Sequence, residues 1–165
     1  MSHVFKSLYE DSTDFRRFGI CDDRPHQRAY INTNDGGKWI AVVSNNYRKP
    51  IVFTAFDNCI EFRTKANKLE SRCEGAITYE NVIIFVEAKE RKGKTGDWAK
   101  DAEDQLKATI ESVSKRVDLD FFQIKRAAIC NKLRTKNNEK HTARIKKFLK
   151  DTGYILTVDN RIIID

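Results

Sequence analysis

Two prolines in 165 residues is a small number, and several other features that narrow function are also scarce. With 33% charged, 40% apolar and 10% aromatic residues beside those prolines, the composition excludes an extended disordered tract, so the whole chain is expected to fold. The four cysteines, Cys21, Cys59, Cys73 and Cys130, lack the short spacings of a zinc site or a redox dithiol, and reduced buried thiols are expected. No stretch reaches the ~18 apolar residues of a membrane span. Lys6, Glu10 and Asp11 interrupt the apolar run that a signal peptide needs, so the expectation is a soluble, cytoplasmic protein. There is no internal repeat and no low-complexity segment.

The length suits one domain, 1–165, built around one core without disulfide or metal staples. Lys and Arg number 31 against 24 Asp and Glu, giving a charge of +7 and a pI near 9.2. Such a balance favours a polyanionic partner, nucleic acid first.

The apolar pattern then divides the chain. Residues 4–18 carry Val4, Phe5, Leu8, Phe15 and Phe18 at mixed spacing, which suggests a short helix and a turn at Ser12, Thr13 and Asp14. Residues 21–34 read as a loop leading to Gly36 and Gly37. Three strands, 38–44, 51–56 and 59–63, come next as an antiparallel meander, and the polar stretch 64–71 leads to a strand pair, 72–79 and 82–90. The second member of that pair is apolar on both pleat faces, as in a central strand covered from both sides.

Asp97 caps a helix to about residue 114 whose stripe is Trp98, Ala102, Leu106, Ile110 and Val113. A buried strand over 121–130, a helix over 139–151 ending at Gly153, and a hairpin of 154–158 with 162–164 around Asp159 and Asn160 complete the chain. The order implies an α/β (α+β) fold: a mixed central sheet flanked by helices, with an N-terminal antiparallel extension.

Chemistry concentrates in Cys73-Glu74-Gly75 and Val86-Glu87-Ala88-Lys89. A turn at Glu80 and Asn81 puts Glu74 directly opposite Glu87, and period-two alternation gives Lys89 the same face. Facing carboxylates repel and call for a cation. Lys89 supplies one positive charge, and two hard oxygen ligands also suit Mg²⁺, which keeps several waters, with Mn²⁺ as a substitute. Such an ion polarises a phosphate and acidifies a bound water while the lysine orients or deprotonates that water. Those are the needs of phosphodiester hydrolysis.

Glu74 followed after twelve residues by Glu87-Ala88-Lys89, on a hairpin succeeded by helix, strand and helix, resembles the PD-(D/E)XK nuclease superfamily. The resemblance covers roughly residues 55–158. It implies a restriction-endonuclease-like αβββαβ core, metal ligation by Glu74 and Glu87, assistance to the attacking water by Lys89, and support of the site by Gln105. It also offers Glu10 as an extra N-terminal acid, against the reading of Glu10 as a surface residue. The family more often has Asp where this chain has Glu74, and the added methylene displaces the carboxylate by about 1 Å, a shift that matters in a rigid site.

The basic run Lys132, Arg134, Lys136, Lys140, Arg144, Lys146, Lys147 and Lys150 is read as phosphate-contacting, and Arg91, Lys92 and Lys94 stand where a backbone phosphate near the metal would be held. His26 and His141 lack a spaced acidic partner and are read as surface residues. The expectation is a Mg²⁺-dependent nuclease acting on DNA ahead of RNA, in a bacterial defence, repair or mobile-element setting, with a homodimer as one way to cut both strands. Two alternatives stand beside it: a catalytically weak nucleic-acid-binding protein of the same fold, and a protein-interaction or immunity module using residues 38–56 with Trp39, Tyr47 and Phe53.

Overall fold

A computed structural model describes residues 9–23, 28–56, 72–90, 98–132 and 141–165. Among them the elements run β1 (Glu10–Thr13), β2 (Arg17–Cys21), β3 (Tyr30–Asn32), β4 (Ala41–Ser44), β5 (Ile51–Ala55), β6 (Gly75–Tyr79), β7 (Val82–Lys89), α1 (Trp98–Ser114), β8 (Ile124–Asn131), α2 (Thr142–Thr152), β9 (Ile155–Asp159) and β10 (Arg161–Ile163). The fold is mixed α+β, mostly strands. One sheet has the order β1-β5-β6-β7-β8-β9, and the other has the order β10-β4-β2-β3. The larger sheet is antiparallel as far as β7 and parallel from β7 through β8 to β9.

The two-sided apolar character of β7 has a direct cause. Ile83 and Phe85 pack with α1, α2 and Tyr154 in one core, whereas Val82, Ile84, Val86 and Ala88 pack with Phe18, Ile20, Ala41 and Val43 of the smaller sheet in a second. Strand β7 therefore lies in the middle of three layers: helices, large sheet, small sheet. Each fully buried Phe or Ile contributes about 2 kcal/mol, so strict alternation into two cores pins the strand's register.

The α1 stripe is buried at every position named from the sequence, Trp98, Ala102, Leu106, Ile110 and Val113. Helix α2 buries Phe148 and stops at Gly153, whose φ of 78° lets its N–H donate to the Leu149 carbonyl. The residue Asp97, read as the α1 cap, lies outside the described residues, as do the expected strand 59–63 and the link 64–71.

Four expectations are corrected. Of the segment 4–18 read as a short helix and a turn, Val4, Phe5 and Leu8 lie outside the described residues, and the part from Glu10 on is strand: β1 pairs along β5, and Phe18 and Ile20 of β2 alternate into the inter-sheet core. The expected loop 21–34 contains β3, which pairs with β2. Strands β4 and β5 are not neighbours in a meander, because β4 joins β2 and β10 in the small sheet while β5 joins β1 and β6 in the large one. Strands β9 and β10 are no hairpin either: each pairs in parallel, β9 with β8 and β10 with β4, so Asn160 marks a crossing between sheets. Local turn signals at 45–46 and 159–160 show that the chain reverses or bends, and burial decides which sheet receives the next strand.

Candidate active site

Strands β6 and β7 pair with Gly75 opposite Val86 and Tyr79 opposite Val82, around a turn in which Glu80 takes a φ of 47°. This is the register inferred from the sequence. It leaves Glu74 just ahead of the first pair, Gly75 with Val86, and Glu87 just beyond it, with Lys89 two residues further along β7 on the Glu87 face.

The pairing is irregular at Glu74. Its N–H donates to the carbonyl of Val86, at 3.0 Å, although Val86 already faces Gly75, so two residues of one strand oppose one of the other as in a β-bulge. On the other side, Phe56 N–H donates to Glu74 O at 3.0 Å, continuing the β5 ladder. The neighbouring position must be glycine: a Cβ on Gly75 would come within 2.2 Å of the Thr54 carbonyl and 2.7 Å of the Phe53 ring. Bulges of this kind terminate pairing and re-aim a side chain next to a site.

Both carboxylates are buried, with Glu74 1% and Glu87 2% exposed. Lys89 Nζ stands 3.3 Å from Glu87 Oε1 and donates to Gln105 Oε1 at 2.7 Å. Gln105, on the edge of the α1 stripe, thus holds the lysine, a contact the sequence does not specify, since it leaves Gln105 between supporting the site and facing solvent. Burying two carboxylates is costly unless cations or hydrogen-bond donors compensate them, and Lys89 supplies one such cation.

Three further residues complete the surroundings: Cys73, which stands in the stretch singled out from the sequence, and Thr109 and Asn131, which the sequence did not mark. The Cys73 N–H donates to Thr109 Oγ1 at 2.8 Å, and that hydroxyl donates to the Gln105 carbonyl at 2.8 Å. One turn of α1 therefore ties both strands of the site: Gln105 holds Lys89, and Thr109 holds the backbone just before Glu74. Burial, with Glu87 and Glu74 adding, pushes the Cys73 thiol well above its ordinary value, so it stays neutral between the carboxylates. Asn131, 2% exposed, lies beside Lys89 across the β7–β8 ladder. A buried asparagine at a strand end was the only available signal for it, and strand ends are hard to read from sequence.

Other expected participants are placed differently. Glu10 sits on β1 opposite Thr54, at the far edge of the sheet, and the three strand spacings between β1 and β7 amount to about 14 Å. The structure does not bring it to Glu87. Lys132, expected on phosphate, forms an ion pair with Glu90 at 2.6 Å and donates to the Trp39 carbonyl at 2.8 Å. Arg144 reaches inward to buried Glu103 at 2.6 Å. Arg91, Lys92, Lys94, Arg134, Lys136, Lys140 and His26 lie outside the described residues. His141 packs edge-on against Trp98, with 6.0 Å between ring centres.

Among the described residues no group of three or more His, Cys, Asp or Glu side chains is arranged to hold a metal. A two-carboxylate site is a different case, since Mg²⁺ commonly takes one or two carboxylates and completes its shell with water and phosphate oxygens. The hard oxygen donors of the two carboxylates suit that ion. The described helices include none long and apolar enough to cross a membrane. No protein-family model, curated protein or solved structure matches the chain.

Proposed function

We propose that the protein is a metal-dependent nuclease that hydrolyses phosphodiester bonds, with DNA as its substrate. The observation that carries this reading is the buried Glu74 and Glu87 pair on facing strands, with Lys89 on the same face and held by Gln105. The order β5-β6-β7-α1-β8-α2-β9, three antiparallel strands followed by a helix and a parallel strand, adds support, because it matches the βββαβ part of the nuclease core that the sequence resembles.

Glu74 and Glu87 would hold Mg²⁺ or Mn²⁺. When bound, that ion polarises a phosphate oxygen and lowers the pKa of a water. The chain's own contribution is positional. Lys89 Nζ, fixed between Glu87 Oε1 and Gln105 Oε1, points a cationic donor at the nucleophile or at charge developing on the phosphate. Thr109 holds the strand leading into Glu74, so both carboxylates keep their spacing when substrate arrives.

A second reading, nucleic-acid binding without cleavage in the same fold, is favoured by the near-complete burial of both carboxylates. The interaction-module reading loses its main motive, since Trp39 and Phe53 are core residues and only Tyr47, 76% exposed, stands on the surface. The test is incubation of the full chain with supercoiled plasmid and with single-stranded DNA in Mg²⁺, Mn²⁺ or EDTA. Cleavage in either metal and none in EDTA supports the nuclease; binding without cleavage supports the second reading; cleavage that EDTA leaves unchanged sinks the metal mechanism.

A further inference from the structure

The basic run after β8 is not one surface. Arg144 turns inward to Glu103, which also takes Lys107 at 2.8 Å, and Lys107 in turn reaches Asp151 at 3.2 Å. Lys132 is engaged by Glu90 and the Trp39 carbonyl. These cations tie elements together.

The outward side of α2 is different. At 3.6 residues per turn, Ala143, Lys146 and Lys150 lie on the side of the helix opposite Phe148, with Lys147 at its margin. All four are exposed. Lys146 and Lys150 have no ion-pair partner among the described residues, and Lys147, 70% exposed, has only a 3.4 Å contact with Asp151, which Lys107 also contacts. Two lysines one turn apart, about 6 Å along the axis, with only an alanine methyl between them and the approaching partner, form a flat cationic strip.

Three contacts fix the height of that strip. Trp98 meets His141, Glu103 meets Arg144, and Lys107 meets Asp151, so α2 runs parallel to α1 and its middle turn is level with Gln105. Helix α2 thus stands beside α1, which carries Gln105 and through it holds Lys89.

We infer that Lys146, Lys147 and Lys150 on the outer face of α2 form a sequence-independent contact for the phosphate backbone of duplex DNA, on the same helix layer that supports Lys89 through Gln105. This rests on the nuclease reading for the identity of the partner. Charge complementarity argues for the occupant: two exposed ammonium groups without an ion-pair partner among the described residues, beside a third that only Asp151 engages, suit a regular polyanion.

The test is fluorescence anisotropy of the full chain with a labelled 30-base-pair duplex in EDTA, across a salt series. Each phosphate contact contributes about 0.9 to the slope of log affinity against log salt. The combined variant Lys146→Gln, Lys147→Gln, Lys150→Gln is expected to lower that slope by roughly 2 to 3. The matching triple Lys→Arg variant should restore it, and Lys115→Gln, which removes a lysine already paired with Glu111, should leave it alone.

An unchanged slope in the triple Gln variant overturns the inference, as does preferential binding to phosphatidylserine vesicles over duplex. Each variant is also assayed for plasmid cleavage in Mg²⁺. Cleavage with an unchanged slope rejects the strip and leaves the nuclease standing. A lowered slope in a protein that never cleaves keeps the strip and rejects the nuclease.

Discussion

At the scale of single residues, Lys89 has the most specific geometry in the molecule. Its ammonium lies between a carboxylate that shares its strand and an amide from a helix, at 3.3 and 2.7 Å. A surface lysine would lose side-chain entropy in such a clamp and gain little. The clamp makes sense where a charge must be held at one point. Lys89→Gln, one atom shorter, keeps an N–H donor that can turn towards Gln105 but removes the charge. Cleavage is expected to fall by about 10²- to 10⁴-fold, the range for a lost acid, base or oriented charge, while Mg²⁺ still binds. Single-turnover rates with calorimetric Mg²⁺ titration check this, and a variant that cuts at the starting rate would remove Lys89 from the chemistry.

At the scale of elements, α1 acts as the frame of the site. Thr109 is fully buried in the helix and accepts the Cys73 N–H, joining α1 to the residue before the bulge. Thr109→Val keeps the shape and orphans that N–H, a loss of about 1–3 kcal/mol. The expected signature is a lower urea midpoint together with a weaker dependence of cleavage on Mg²⁺, and Thr109→Ser should recover both. A variant that loses stability but keeps the wild-type metal dependence would reduce Thr109 to a core residue.

Element by element, the sequence was most legible where one local rule met one burial demand. The hairpin register came from period-two alternation across the turn at Glu80, and it holds from Gly75 and Val86 to Tyr79 and Val82, although the bulge sets Glu74 itself against Val86 rather than directly opposite Glu87. The α1 stripe was legible for the same reason. Strands β1 and β2 were not, because Phe15 is exposed while Phe18 and Ile20 face the large sheet, with Ile77 and Ile84 far away in the chain. The crossing at Asn160 was hidden too: Asp159 and Asn160 give the same turn signal whether the next strand returns to the same sheet or enters another. Within the site, Thr109 and Cys73 are ordinary residues in sequence, and only the bulge at Glu74 makes them neighbours.

At the scale of the whole molecule, the three layers give two separate cores, and each contains a weak acid that burial keeps neutral. Tyr154, against Phe85 in the helix-side core, is pushed up to about 12 by burial. Cys130, in the inter-sheet core, is pushed up to about 11, burial again being the largest cause. A raised folded-state pKa favours the neutral group, so its stabilising contribution is full below the unfolded value and is lost as pH rises through the folded one. For the thiol that loss runs from about 9 to about 11, and for the phenol from about 10 to about 12. Urea midpoints should therefore drop across this range, and the double variant Tyr154→Phe, Cys130→Ala should show a shallower drop than the wild type. Equal drops would mean that neither group titrates with unfolding.

The central claim is that Glu74 and Glu87 together hold the ion that cuts the phosphodiester bond. The most direct measurement of it is cleavage of supercoiled plasmid in Mg²⁺ by Glu87→Gln beside the wild type, with each protein's thermal midpoint recorded in the same buffer. Glu87→Gln keeps the volume and removes one of two repelling buried carboxylates, so the midpoint should hold or rise while cleavage falls by about 100-fold or more. A Glu87→Gln protein that is folded and nicks plasmid at the wild-type rate would contradict the claim.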